Sequence, residues 1–135
     1  MKFPWRSDRR LRAAGYRSDS LVESKVVPGV TFTIAKMSFG RRVELMRRVR
    51  ALARRCEFLR TGVEPGEKMD AALLQSEIER TYVAWGVQSV SGLRVNGRVA
   101  DVELMAAEGP EELFREALAA VRRETGLSEE DRKNS

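Results

Sequence analysis

Guanidinium groups are the chemically distinctive side chains of this 135-residue chain, and their spacing lets them act together. Arg41, Arg47, Arg48, Arg50, Arg54 and Arg55 crowd one short stretch. Each carries a fixed charge and a planar donor fork that matches carboxylate or phosphate oxygens. With helical rotation of about 100° per residue, Arg47, Arg50 and Arg54 cluster on one side, while Arg41, Arg48 and Arg55 lie along a flank. Such a face holds anions and breaks no bonds. The catalytic alternatives are thin. There is no histidine, hence neither the commonest general base nor the commonest metal ligand. Cys56, the single cysteine, sits in an apolar helical pattern and reads as a buried thiol rather than a nucleophile. A classical zinc site needs several Cys or His ligands. Gly62, Gly66, Gly92 and Gly97 are scattered turn formers, not a phosphate-cradling loop. The expectation is a binding protein without catalytic residues, cofactor or metal.

The arginines need an element to carry them. Ser38 can cap a helix from Phe39 to about Arg60. In it Leu45, Val49, Leu52, Cys56 and Leu59 recur at spacings of four and three, one apolar stripe broadened by Met46 and Ala53. Gly62 ends it. After Val63-Glu64-Pro65-Gly66 a second helix runs from about Glu67 to Trp85, with Met69, Leu73, Leu74, Ser76, Ile78, Tyr82, Val83 and Trp85 on a wide face. A short loop between two long amphipathic helices implies an antiparallel pair. Tyr82 and Trp85 fit either the core or a recognition pair.

Elsewhere the texture is mixed. Val30, Phe32 and Ile34 alternate with Thr31, Thr33 and Ala35, which predicts a strand. Pro28-Gly29 reads as a turn, so Leu21 to Val27 is its candidate hairpin partner. Asn96-Gly97 between apolar residues is a strong hairpin signal within a strand-like 87–100 segment. Asp101 can cap a short helix, 102–107. Pro110 opens a last helix, Glu111 to Thr125, with Leu113, Ala117, Ala120 and Val121 at helical spacing and Gly126 at its end. These elements define a mainly helical α+β fold: an antiparallel helix pair, C-terminal helices and one or two small β-hairpins. Residues 1–20 read as a flexible basic arm, 21–127 as a single domain and 128–135 as a polar tail. Phe3 and Trp5 are the arm's candidate docking anchors, on a partner or on the chain's own domain.

Charge is divided unevenly. Residues 1–60 hold 16 Lys+Arg against 5 Asp+Glu, a net of +11; residues 61–135 hold 9 against 15, a net of −6. The split points to an acidic partner, or to attraction between the two halves or between two copies of the chain. The Arg face therefore has three readings: a solvated surface partly paired with acids such as those of the second helix, a site for an acidic protein, or a nucleic-acid contact. No apolar run spans a bilayer and no secretory signal opens the chain, so the expectation is an intracellular protein with no membrane partner.

Four stretches also carry a family likeness: 30–42, Val-Thr-Phe-Thr-Ile-Ala-Lys-Met-Ser-Phe-Gly-Arg-Arg; Ala71-Ala72-Leu73-Leu74 with 77–86, Glu-Ile-Glu-Arg-Thr-Tyr-Val-Ala-Trp-Gly; Gly92-Leu93-Arg94-Val95-Asn96-Gly97; and Gly109-Pro110-Glu111-Glu112-Leu113 continuing to 126–134. In order and texture they resemble the tail assembly chaperones of long-tailed bacteriophages and prophages. That resemblance implies a non-enzymatic role in the bacterial host cytoplasm, coating the tape measure protein and recruiting tail tube subunits. It implies no site residues. The residues themselves leave two other classes open: a nucleic-acid-binding or regulatory protein using the arm and the Arg face, and a structural head–tail or tail component of the virion. Arg41, Arg47, Arg48, Arg54, Arg55, Phe3 and Trp5 are the candidate protein-binding residues, and homo-oligomerisation fits the charge split.

Overall fold

The computed structural model describes residues 13–126. Phe3, Trp5 and most of the segment read as an arm lie outside the described residues, as does the polar tail.

Strand β2 (Thr31–Ala35) is the centre of the sheet. Phe32 and Ile34 point inward and are fully buried, with Val30 beside them, while Thr31 and Thr33 face outward and are half-buried. This is the two-residue alternation of a sheet with one face on a core. It pairs antiparallel with β1 (Asp19–Glu23) on one side and β3 (Val87–Ser91) on the other. The first strand starts at Asp19, inside the segment 1–20 expected to be an arm, and ends at Glu23 rather than Val27. Its register, Asp19 opposite Ala35 and Glu23 opposite Thr31, is set by β2 rather than by its own polar sequence.

Helix α1 (Phe39–Arg60) starts where Ser38 accepts the Arg41 N–H at 3.2 Å. Helix α2 (Pro65–Gly86) starts at a proline suited to its first turn. Beyond β3, strands β4 (Arg94–Val95) and β5 (Arg98–Val99) form the expected tight hairpin. Asn96 and Gly97 both take positive φ, 52° and 79°, as a type I′ turn requires. Asp101 caps α3 (Val102–Glu108), accepting the Leu104 N–H at 2.8 Å. Helix α4 (Glu111–Thr125) ends at a left-handed Gly126. Among the described residues the fold is thus α+β and mainly helical, with four helices, a three-stranded and a two-stranded antiparallel sheet.

The core lies between the inner face of the three-stranded sheet, α4 and the second half of α2. Phe32, Ile34, Met105, Leu113, Leu118, Val83 and Val121 are its largest enclosed side chains. Gly86 packs so closely on Val121 that an added Cβ would stand 2.5 Å from its Cγ1. A polar tie closes the other end. Glu116 of α4 accepts the Ser24 hydroxyl at 2.5 Å and the Lys25 N–H at 2.7 Å, and Ser24 Oγ in turn accepts the N–H groups of Val26 and Val27. One carboxylate thus organises the β1–β2 turn. Removing it strands several polar groups, so Glu116→Ala is expected to lower the unfolding free energy by about 1–3 kcal/mol, and Glu116→Gln by less, in urea denaturation followed by circular dichroism.

Candidate binding surface

Helix α1 packs almost wholly on α2, and it meets the remaining elements only lightly. Leu45 and Cys56 are buried in the seam, with Val49, Leu52 and Leu59 half-buried beside them. Ala71, Leu74, Ile78 and Tyr82 face them from α2. The Cys56 thiol donates to the Ala71 carbonyl at 3.4 Å, the contact of an enclosed cysteine within the seam. The Arg42 guanidinium donates to the Thr125 carbonyl at 3.4 Å and ties the base of α1 to α4. The side chains that fix α2 to the rest lie in its second half: Glu79 with Arg115 and Arg122, and Gly86 against Val121. The outer half of this hairpin, residues 50–75, is therefore held mainly by its own seam.

The helix is basic throughout. It carries eight arginines, no lysine and two glutamates, a net of +6 over 22 residues or about 33 Å. Arg47, Arg50 and Arg54 are exposed on the side away from α2, as the wheel requires, and Arg55 is exposed on the flank. Arg41 is half-buried in the first turn. Among the described residues, Arg41, Arg47, Arg50, Arg54 and Arg55 form no ion pair. Arg48 pairs with Glu44 at 2.7 Å and Arg60 with Glu57 at 3.6 Å, both within α1. The reading of a solvated face partly paired with acids of the second helix keeps its solvated part, but no such pair forms among the described residues. Across the seam, Arg60 meets only the Gln75 amide oxygen, at 3.1 Å. Glu79 of α2 instead takes Arg115 at 2.7 Å and Arg122 at 3.9 Å. Among the described residues, the ion pairs of the acidic half join side chains of that half, and none reaches α1.

The apolar side chains bring a second correction. Met46 does not broaden the buried stripe; it is 58% exposed. Met69 and Leu73 are 69% and 61% exposed, and Ser76 is exposed as well, on the side of α2 away from α1. The cause is that α1 and the outer half of α2 have one main neighbour each. A helix in a single seam buries a narrow arc, whereas a core helix buries a wide one. Tyr82 is buried and Trp85 half-buried against the core, so the core reading of that pair holds. Phe39 and Phe58, which the stripe leaves out, are 85% and 75% exposed, and Val63 at the hairpin tip is fully presented. Phe58 was findable in the sequence: it follows Arg54 by four residues and so lies on the arginine side.

The exposed apolar groups border the arginine row on both sides. Phe39 and Met46 lie toward one flank, Ala51 and Phe58 toward the other, with Arg47 and Arg54 between them. A groove of about 560 Å³ beside Lys68, Gln75 and Arg115 is open, and Gln75 and Arg115 are already engaged with Arg60 and Glu79. No group of three metal-ligating side chains occurs among the described residues, and no helix there is long and apolar enough to cross a membrane. Compared with family models, curated proteins and solved structures, the chain matches none of them.

The assignment of faces has a direct check in stability. Phe58→Ser, Met69→Ser and Leu73→Ser are expected to leave the unfolding free energy within about 0.5 kcal/mol of the parent. Leu45→Ala, in the seam, is expected to cost about 2–5 kcal/mol. Equal losses in both sets, measured by urea denaturation, would contradict the assignment.

Proposed function

We propose that this chain is a non-catalytic holder of other proteins, and in particular a tail assembly chaperone that binds the tape measure protein or tail tube subunits in the cytoplasm of a bacterial host. One observation carries the reading: a row of arginines without ion pairs among the described residues, bordered by exposed apolar side chains on a helix hairpin. The likeness in order and texture across residues 30–134 supplies the particular partner. A tape measure protein awaiting its tube exposes long apolar helical surface, an aggregation hazard. An amphipathic helix presented on a stable base can cover such a surface by lying alongside it. Exposed ion pairs contribute only about 0–1 kcal/mol each, so binding along such a face can be specific in register and still be displaced when tube subunits arrive.

Co-expression with the tape measure protein of the same genome tests the reading, with retention measured on the tagged chain in a nuclease-treated lysate. The tape measure protein is expected to become soluble and to co-purify. A tape measure protein that is equally soluble alone and never retained contradicts the proposal.

A further inference from the structure

We infer that the outward edge of α1 takes an acidic amphipathic helix, its carboxylates laid along the row Arg47, Arg50 and Arg54 and the apolar side chains beside them on Phe58 and Met46. The inference deepens the reading of the chain as a holder of helical protein and rests on it, but it names the surface and the chemistry of the partner.

Three features specify that partner. The first is charge. The edge holds Arg47, Arg50 and Arg54 with no acid paired to them among the described residues, while Glu79 of α2 and Glu111 of α4 pair with Arg115 and Arg122 of α4. The second is spacing. Arg47 and Arg54 are seven residues apart, close to two helical turns, with Arg50 between them and displaced to one side. Carboxylates at positions i, i+3 or i+4 and i+7 of a partner helix recur at the same interval, and the planar guanidinium fork donates to two oxygens of a carboxylate at a time. The third is the apolar border. Phe39, Met46 and Phe58 are large, exposed and set on both sides of the row. A sugar-phosphate backbone would meet the arginines and leave these side chains in water. A protein helix with leucines beside its glutamates covers both. Arginine also suits an edge that must become dry, since guanidinium is more weakly hydrated than ammonium.

The same features set the direction of recognition. The base of α1 is fixed by Arg42 on the Thr125 carbonyl, while the outer half of the hairpin stands on its own seam. A partner laid along the edge adds a third helix to a two-helix layer and encloses side chains that one seam leaves open.

The probe is a synthetic acidic peptide of about 22 residues, the length of α1, with glutamate at every third or fourth position and leucine on both flanks of that line. Its binding to the isotope-labelled full chain is followed by amide chemical shifts at physiological salt. The expected result is binding with shifts concentrated on residues 46–58. The combined variant Arg47→Glu, Arg50→Glu, Arg54→Glu is expected to weaken it by about tenfold or more, while retaining the circular dichroism spectrum of the parent. A peptide with lysine in place of glutamate is expected to bind that variant. The pair Arg94→Glu, Arg123→Glu, exposed but elsewhere, is expected to stay within about twofold of the parent, a purely screened long-range effect. Four results overturn the inference: shifts centred outside α1, a scrambled peptide of equal charge binding as well, a short DNA duplex binding more tightly than the peptide at the same salt, and α1 shifts that vary with protein concentration alone, which would mark a second copy as the occupant. None of these requires the tape measure protein, so a failed co-expression with a positive peptide result overturns only the proposed partner.

Discussion

The seam between α1 and α2 is the contact on which the presented surface depends. Leu45, Val49, Leu52, Cys56 and Leu59 meet Ala71, Leu74, Ile78 and Tyr82 along an antiparallel pair. Isolated helices of this length are marginal in water, and packing of one face stabilises them. Because α1 has almost no other neighbour, this line alone decides which way its remaining side chains point. The arginines face outward because the leucines are held inward. The rest of the domain supplies a firm end for that line: α2 continues into the sheet through Val87, and Gly86 lets Val121 of α4 approach its backbone closely.

The division of charge along the chain takes a different form in three dimensions. Opposite nets in the two halves suggest that one neutralises the other, and the described ion pairs show otherwise. Glu79, half-buried on α2, collects Arg115 and Arg122; Glu108 takes Arg98; Glu111 takes Arg115. These are contacts among elements that pack on one another for apolar reasons, with charges paired where packing brings them close. Helix α1 is set apart by its single neighbour, so Arg47, Arg50, Arg54 and Arg55 are exposed to water. A net of +6 on one helix is unfavourable for its own stability through like-charge repulsion, which the proposed acidic partner would relieve.

Much of this fold was legible in the sequence because it is locally encoded. Ser38, Asp101, Pro110 and Gly126 mark helix ends through the backbone hydrogen bonds or dihedral angles that those residue types supply, and Asn96-Gly97 fixes a turn through φ. The helix bounds 39–60 and 111–125 follow from them. What the sequence left open was non-local. The first strand is polar and short, and it exists because β2 offers an edge. The width of each helix's buried arc depends on how many neighbours it has, and apolar periodicity does not count neighbours. That is why Met46, Met69 and Leu73 read as core and stand in solvent. Of the candidate binding residues, Arg47, Arg54 and Arg55 are exposed and without ion pairs among the described residues, Arg41 is partly sheltered, and Arg48 is engaged with Glu44. Which arginines keep a partner depends on the pairing of every other charge, a property of the assembled domain.

The outer hairpin is a presented element supported by one seam, on a base supported from several sides. Native-state hydrogen exchange of the free chain measures this directly. Amides in residues 50–75 are expected to exchange together through a partial opening, at a lower free energy than amides of β2, α4 and the second half of α2, which exchange only on global unfolding. Protection of residues 50–75 equal to that of β2 would contradict the account, since it would mean that the hairpin is bound into the core and has no independent face to offer.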